Sequence, residues 1–125
     1  MARILVLDDD PDILSVLEAT LRAAGHDVFG AGDGAAGLRL ARERAFDLVV
    51  TDMMMPEKDG FEVINALRAA NPGLPIIAIS SGGRERSPIF LKIAQTLGVN
   101  ATLTKPIKPD ALVDCVEKIL AAPRA

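Results

Sequence analysis

Apolar positions along this chain follow two rhythms. The runs Ile4–Leu7, Leu48–Thr51 and Ile76–Ile79 are nearly continuous in Val, Ile and Leu, without polar alternation. Such a run suits a strand buried on both faces, as in a parallel sheet. Weaker runs at His26–Phe29 and Ala101–Thr104 complete a set of five. Between them, apolar residues return at helical spacing: Ile13, Leu14, Leu17, Leu21 and Ala24; Phe61, Ile64 and Leu67; Ile89, Ile93 and Leu97; Leu112, Val116, Ile119 and Leu120. Ala35–Arg44 reads as a weaker helix, because Gly37 lies inside it. Gly25, Gly98 and Asn71-Pro72-Gly73 stand where helices should stop. The order is five βα units, which predicts an open parallel sheet with helices on both faces. No linker, repeat or low-complexity stretch interrupts residues 1–125, so one domain is expected.

Composition narrows the function classes. A chain of 125 residues, half of them hydrophobic, can bury a core without a staple. The net charge of −3 offers no basic footprint, so direct nucleic-acid binding is not expected. No apolar run is long enough to cross a bilayer, and the amino terminus lacks a signal-peptide pattern. One cysteine permits no internal disulfide, so a reducing, cytoplasmic setting is expected. No Cys/His cluster exists for zinc.

The chemistry concentrates where strand runs end. The first run leads into Asp8, Asp9, Asp10, Pro11 and Asp12. Asp10 before Pro11 reads as a helix N-cap, and Asp12 sits in the first turn, where the helix dipole favours negative charge. Capping explains neither Asp8 nor Asp9. In open α/β sheets ligands bind at the carboxyl ends of strands. The third run ends at Asp52, the fourth at Ser80 and the fifth at Lys105. If strands 1 and 3 are neighbours, their ends lie about 5 Å apart. Carboxylates so close cannot all ionise cheaply without a cation. They suit a hard ion such as Mg²⁺, with phosphate admitted once the metal is present. Lys105 and Ser80 could then hold further phosphate oxygens.

With these pieces in order, the chain resembles the receiver domain of two-component response regulators along essentially its whole length. The matching motifs are "DDDP" after strand 1, "TDMMMPEKDG" after strand 3, "ISS" after strand 4 and "TKP" after strand 5. The resemblance implies a flavodoxin-like strand order 2-1-3-4-5. It implies that Asp52 is the nucleophile, taking a phosphoryl group from a sensor histidine kinase or phosphotransfer protein. Asp9, Asp52 and the backbone carbonyl of Met54 would hold Mg²⁺ directly, and Asp8 through water. Ser80 would bond the phosphoryl group and move on activation. Lys105 would pair with the phosphoryl oxygens, and its bond to Pro106 would be cis. The phosphorylated form would alter contacts with a downstream protein through the helix 4/strand 5/helix 5 face, with a homodimer on activation as one possibility.

Other residues take plainer readings. His26, remote in sequence from the acidic strand ends, reads as structural. Cys115 reads as helix packing. The soft side chains of Met53–Met55 do not suit Mg²⁺. Asp59-Gly60 reads as a turn and cap. Two features depart from the family pattern. Thr102 stands where many receivers carry an aromatic residue, which questions the rotating-aromatic switch. The stretch "SSGGRERSPIF", Ser80–Phe90 between strand 4 and helix 4, is a few residues longer than usual, so it is expected to reorder on phosphorylation and help define partner choice. Met54 and Gly82 occupy the positions that tune hydrolysis in the family, and neither can orient water, so slow self-dephosphorylation is expected. Two alternatives compete: a receiver-like binding module that is never phosphorylated, and a phosphatase that would carry its phosphoryl group on Asp8.

Overall fold

Each strand run becomes a strand, and the buried pattern follows the apolar one. In the computed structural model, described for residues 2–53, 60–80, 92 and 95–122 (backbone alone at 60 and 61), the strands are β1 (Arg3–Leu7), β2 (Asp27–Ala31), β3 (Leu48–Asp52), β4 (Ile76–Ser80) and β5 (Ala101–Thr104). The helices are α1 (Pro11–Ala23), α2 (Gly34–Glu43), α3 (Gly60–Ala70) and α4 (Pro109–Ala121), the last being the fifth predicted helix. Of the fourth predicted helix, residues 92 and 95–96 are helical, while Ile89 and Ile93 lie outside the described residues.

All pairings are parallel, in the order β2-β1-β3-β4-β5. Strands β3 and β4 are buried at every position, and β1 at all but Arg3. Alternate residues feed two cores, as strand geometry requires. Leu5, Leu7, Val49 and Ala78 pack with Leu38 of α2 and with Val63, Ile64 and Leu67 of α3. Ile4, Val6, Val50, Ile77 and Ile79 pack with Leu17 and Leu21 of α1 and with Leu112 and Val116 of α4.

Local chemistry sets the ends of the elements. Asp10 accepts from the backbone N–H of Asp12 (2.9 Å) and Ile13 (3.4 Å), capping α1 as expected. Asp33 caps α2 by accepting from Ala36 N–H at 2.7 Å, and α2 starts one residue before the expected Ala35. Gly37 weakens α2 but is required there: a Cβ at that position would come 2.2 Å from Leu7 Cδ2. Strand β2 runs two residues past the expected Phe29, because Gly30 and Ala31 pair with Val6 and Leu7 of β1. Gly25 adopts φ +95°, a left-handed conformation that a side chain would strain, and ends the first helical segment.

Candidate functional site

Strand order reverses between β1 and β3, and their carboxyl ends bring two aspartates together. Asp52 is the last residue of β3 and is 3% exposed. Asp8 directly follows β1 and is fully buried. Its backbone N–H donates to Ala31 O (3.2 Å), and its Oδ1 accepts from Asp10 N–H (2.9 Å). The parity of the strands aims both side chains the same way. Val6 and Val50, two residues earlier, both face the core under α1 and α4.

Lys105 arrives from the far side of the sheet. Its backbone N–H donates to Ser80 O at 2.7 Å, which anchors it just beyond β5. Its Nζ donates to Asp52 Oδ2 at 3.0 Å and stands 3.2 Å from Asp8 Oδ2. Burial pulls the Lys105 ammonium down. The hydrogen bond and charge of Asp52, followed by the close Asp8 carboxylate, outweigh that pull and hold it above the ordinary lysine value. The Lys105-Pro106 peptide is cis, as the resemblance implied.

Asp9 is exposed beside this pair, and carboxylate oxygens of Asp8, Asp9 and Asp52 all lie within 4.8 Å of one another. The lysine ammonium bridges two of these three carboxylates, so the ionised set carries more negative than positive charge. Asp8 Oδ2 is buried and has no hydrogen bond of good geometry, although Lys105 is within ion-pair distance. A buried carboxylate oxygen without a hydrogen bond is costly. Its position beside two further carboxylates fits a hard cation with oxygen ligands, such as Mg²⁺.

Ser80 lies at the end of β4, 6% exposed, beside Thr104 in the register. Residue Ala78, two earlier, belongs to the core under α2 and α3, so Ser80 approaches the edge from the opposite strand parity. Thr102 is exposed on β5. Met54, Met55, Asp59 and the stretch 82–90 lie outside the described residues.

One feature escapes the apolar period. Val16 is 55% exposed on α1, off the spacing that buries Leu17 and Leu21. It borders an apolar groove of about 270 Å³, lined with Ile13, Leu17, Lys105, Pro106 and Ile107. The groove therefore meets the acid cluster at Lys105. Val16 follows Ser15 within the apolar run Ile13–Leu17, so nothing local in the sequence marks it as exposed.

Residues 4–117 match the family model of the response regulator receiver domain. The chain belongs to that family. Among relatives of this receiver, a transcriptional regulatory protein of Escherichia coli (strain K12), GlrR, is 34% identical over 95% of the chain and 26% of its own length. PrrA of Mycobacterium tuberculosis is 40% identical over 94% of the chain and 49% of its own length. The chain thus spans between a quarter and a half of these relatives. Protein PilH of Pseudomonas aeruginosa is 33% identical, over 97% of the chain and 99% of its own length. The chemotaxis protein CheY4 of Vibrio cholerae superposes with a TM-score of 0.89 at 30% identity, covering 95% of the receiver and 98% of that chain. A CheY-like receiver from Methanospirillum hungatei gives 0.90 at 26% identity, covering 96% and 94%. Among the described residues, no helix is long and apolar enough to cross a membrane.

Proposed function

We propose that residues 1–125 act as one cytoplasmic receiver domain that switches when Asp52 is phosphorylated. The observation that carries this reading is the bridging of buried Asp8 and Asp52 by Lys105 Nζ, beside a third carboxylate. A sensor histidine kinase or phosphotransfer protein supplies the phosphoryl group. An Asp52 carboxylate oxygen attacks the phosphorus of its phosphohistidine. The P–O bond forms as the P–N bond breaks, and the leaving imidazole nitrogen keeps the electron pair. The partner docks on the groove beside Val16, which opens next to Lys105.

Lys105 holds one phosphoryl oxygen, and Ser80 donates its hydroxyl to another. The Asp8, Asp9 and Asp52 cluster would hold Mg²⁺, with Asp9, Asp52 and the Met54 carbonyl as direct ligands and Asp8 through water, and the ion would supply the positive charge that three carboxylates and an incoming phosphoryl group require. The chain assists its own phosphorylation and dephosphorylation and turns over no separate substrate. Output passes through the face formed by the fourth predicted helix, β5 and α4, to a downstream protein or a second copy, without direct nucleic-acid contact.

The test is intact-mass analysis after incubation with acetyl phosphate, with and without Mg²⁺, alongside Asp52→Asn. A Mg²⁺-dependent phosphoryl adduct that vanishes in the variant is expected. Absence of any adduct on folded protein supports the unphosphorylated binding module instead. An adduct that survives Asp52→Asn names another nucleophile, with Asp8 first in line.

A further inference from the structure

At the end of the sheet opposite the acid cluster, the single histidine of the chain joins two distant segments. His26 lies between α1 and β2, and its side chain is 7% exposed. Its Nδ1 accepts from the Ala2 backbone N–H at 3.2 Å. Its Nε2 stands 2.8 Å from Glu117 Oε1 on α4. A backbone N–H can only donate, and an ionised carboxylate can only accept. The two bonds together therefore require the proton on Nε2 and the lone pair on Nδ1, which is one tautomer of the neutral ring.

We propose that Glu117 and His26 form a tautomer-setting latch, which ties α4 to the start of β1 and opens at Ala2 when the ring gains a second proton. That proton goes to Nδ1, where it faces the Ala2 N–H donor, and the Ala2 bond is lost. The Nε2 bond meanwhile gains charge assistance from the carboxylate. The latch thus shifts its hold from β1 to α4 without a large movement. Among the described residues, the charged groups that share the ring's cavity are two acids. Glu117 faces it from α4, and Asp47, which precedes β3, lines the same cavity of about 380 Å³. Asp47 already accepts from the Arg3 backbone N–H at 2.8 Å. Arg3 and Asp27 face each other at 3.7 Å. The cavity admits water to the N–H that Ala2 would expose. The Ala2 carbonyl still accepts from Asp27 N–H at 2.9 Å, so opening is confined to one amide.

The latch predicts that Glu117 acts on Ala2 only through the ring. The experiment follows the imidazole ¹⁵N shifts and Ala2 amide exchange by NMR across the histidine titration. At high pH the ring should show the Nε2–H tautomer. On acidification the protection of the Ala2 amide, taken relative to its intrinsic exchange rate at each pH, should fall about five- to tenfold, the loss of one modest hydrogen bond, with the same midpoint as the ring. Glu117→Ala should raise Ala2 exchange at neutral pH, and Glu117→Gln, whose side-chain oxygen still accepts, should restore protection. An Nδ1–H ring at high pH overturns the latch. So does Ala2 protection, relative to the intrinsic rate, that ignores ring protonation, or an unchanged Ala2 in Glu117→Ala.

Discussion

At the amino-terminal ends of the strands, Arg3 meets Asp27, His26 meets Glu117, and the Arg68 guanidinium donates to the carbonyls of Pro72, Leu74, Leu97 and Gly98. At the carboxyl ends, three carboxylates crowd around one ammonium, and a buried oxygen of Asp8 lacks a well-formed hydrogen bond. The first edge gives each of these charged groups a partner within the fold. The second holds an excess of one sign that the fold alone does not relieve. Buried groups left unbalanced in a well-packed domain mark the place where something else is meant to bind. The difference between the edges separates polar residues paired within the fold from carboxylates crowded enough to suit a cation.

The largest expected effect is on the crowded edge. Lys105→Ala leaves Asp8 and Asp52 without their bridging cation and should cost about 3–5 kcal/mol in denaturant melts, the range for breaking a buried pair. Saturating Mg²⁺ should recover part of that loss, because the metal replaces the missing positive charge. Equal destabilisation with and without Mg²⁺ breaks the comparison. A packing control comes next. Gly37→Ala drives a Cβ into Leu7 and should cost about 1–3 kcal/mol, the range for overpacking, with no dependence on Mg²⁺. A Mg²⁺-dependent cost at this site would show that the control is not independent of the edge.

The smallest effect is in pH. Lys105 is held above the ordinary lysine value of 10.5 in the fold, so its pairing favours the folded, protonated state. That contribution is fully present below 10.5 and is lost as pH rises through the folded value. Alkaline melts should therefore fall more steeply in the native protein than in Lys105→Met. Parallel curves would remove the pairing from the stability of the fold.

Much of this arrangement was legible in the sequence, for local reasons. Ile4–Leu7, Leu48–Thr51 and Ile76–Ile79 read as doubly buried strands because no polar residue interrupts them. Asp10 before Pro11 announced its cap, since both residues favour that turn for independent reasons. What stayed hidden depends on partners far along the chain. Gly30 and Ala31 have no strand preference of their own and are extended because β1 pairs with them. His26 and Glu117 are separated by 91 positions, and no local pattern connects them. Lys105 could be placed at a strand end, but its bridging of two carboxylates emerges only when β1, β3 and β5 are brought to one edge. The N-cap at Asp33 was readable in principle and was masked by the glycines around it.

The most direct test of the unbalanced edge is a Mg²⁺ titration of the protein without any phosphodonor, read by calorimetry and by melting temperature. The expected result is one binding site that stabilises the native fold by about 2.7 kcal/mol at a hundredfold excess over its Kd, weakened sharply in Asp9→Asn and in Asp52→Asn. No heat, and a melting temperature that ignores Mg²⁺, would contradict it: the three carboxylates would then be balanced within the fold, and the carboxyl edge would differ from the amino edge in appearance only.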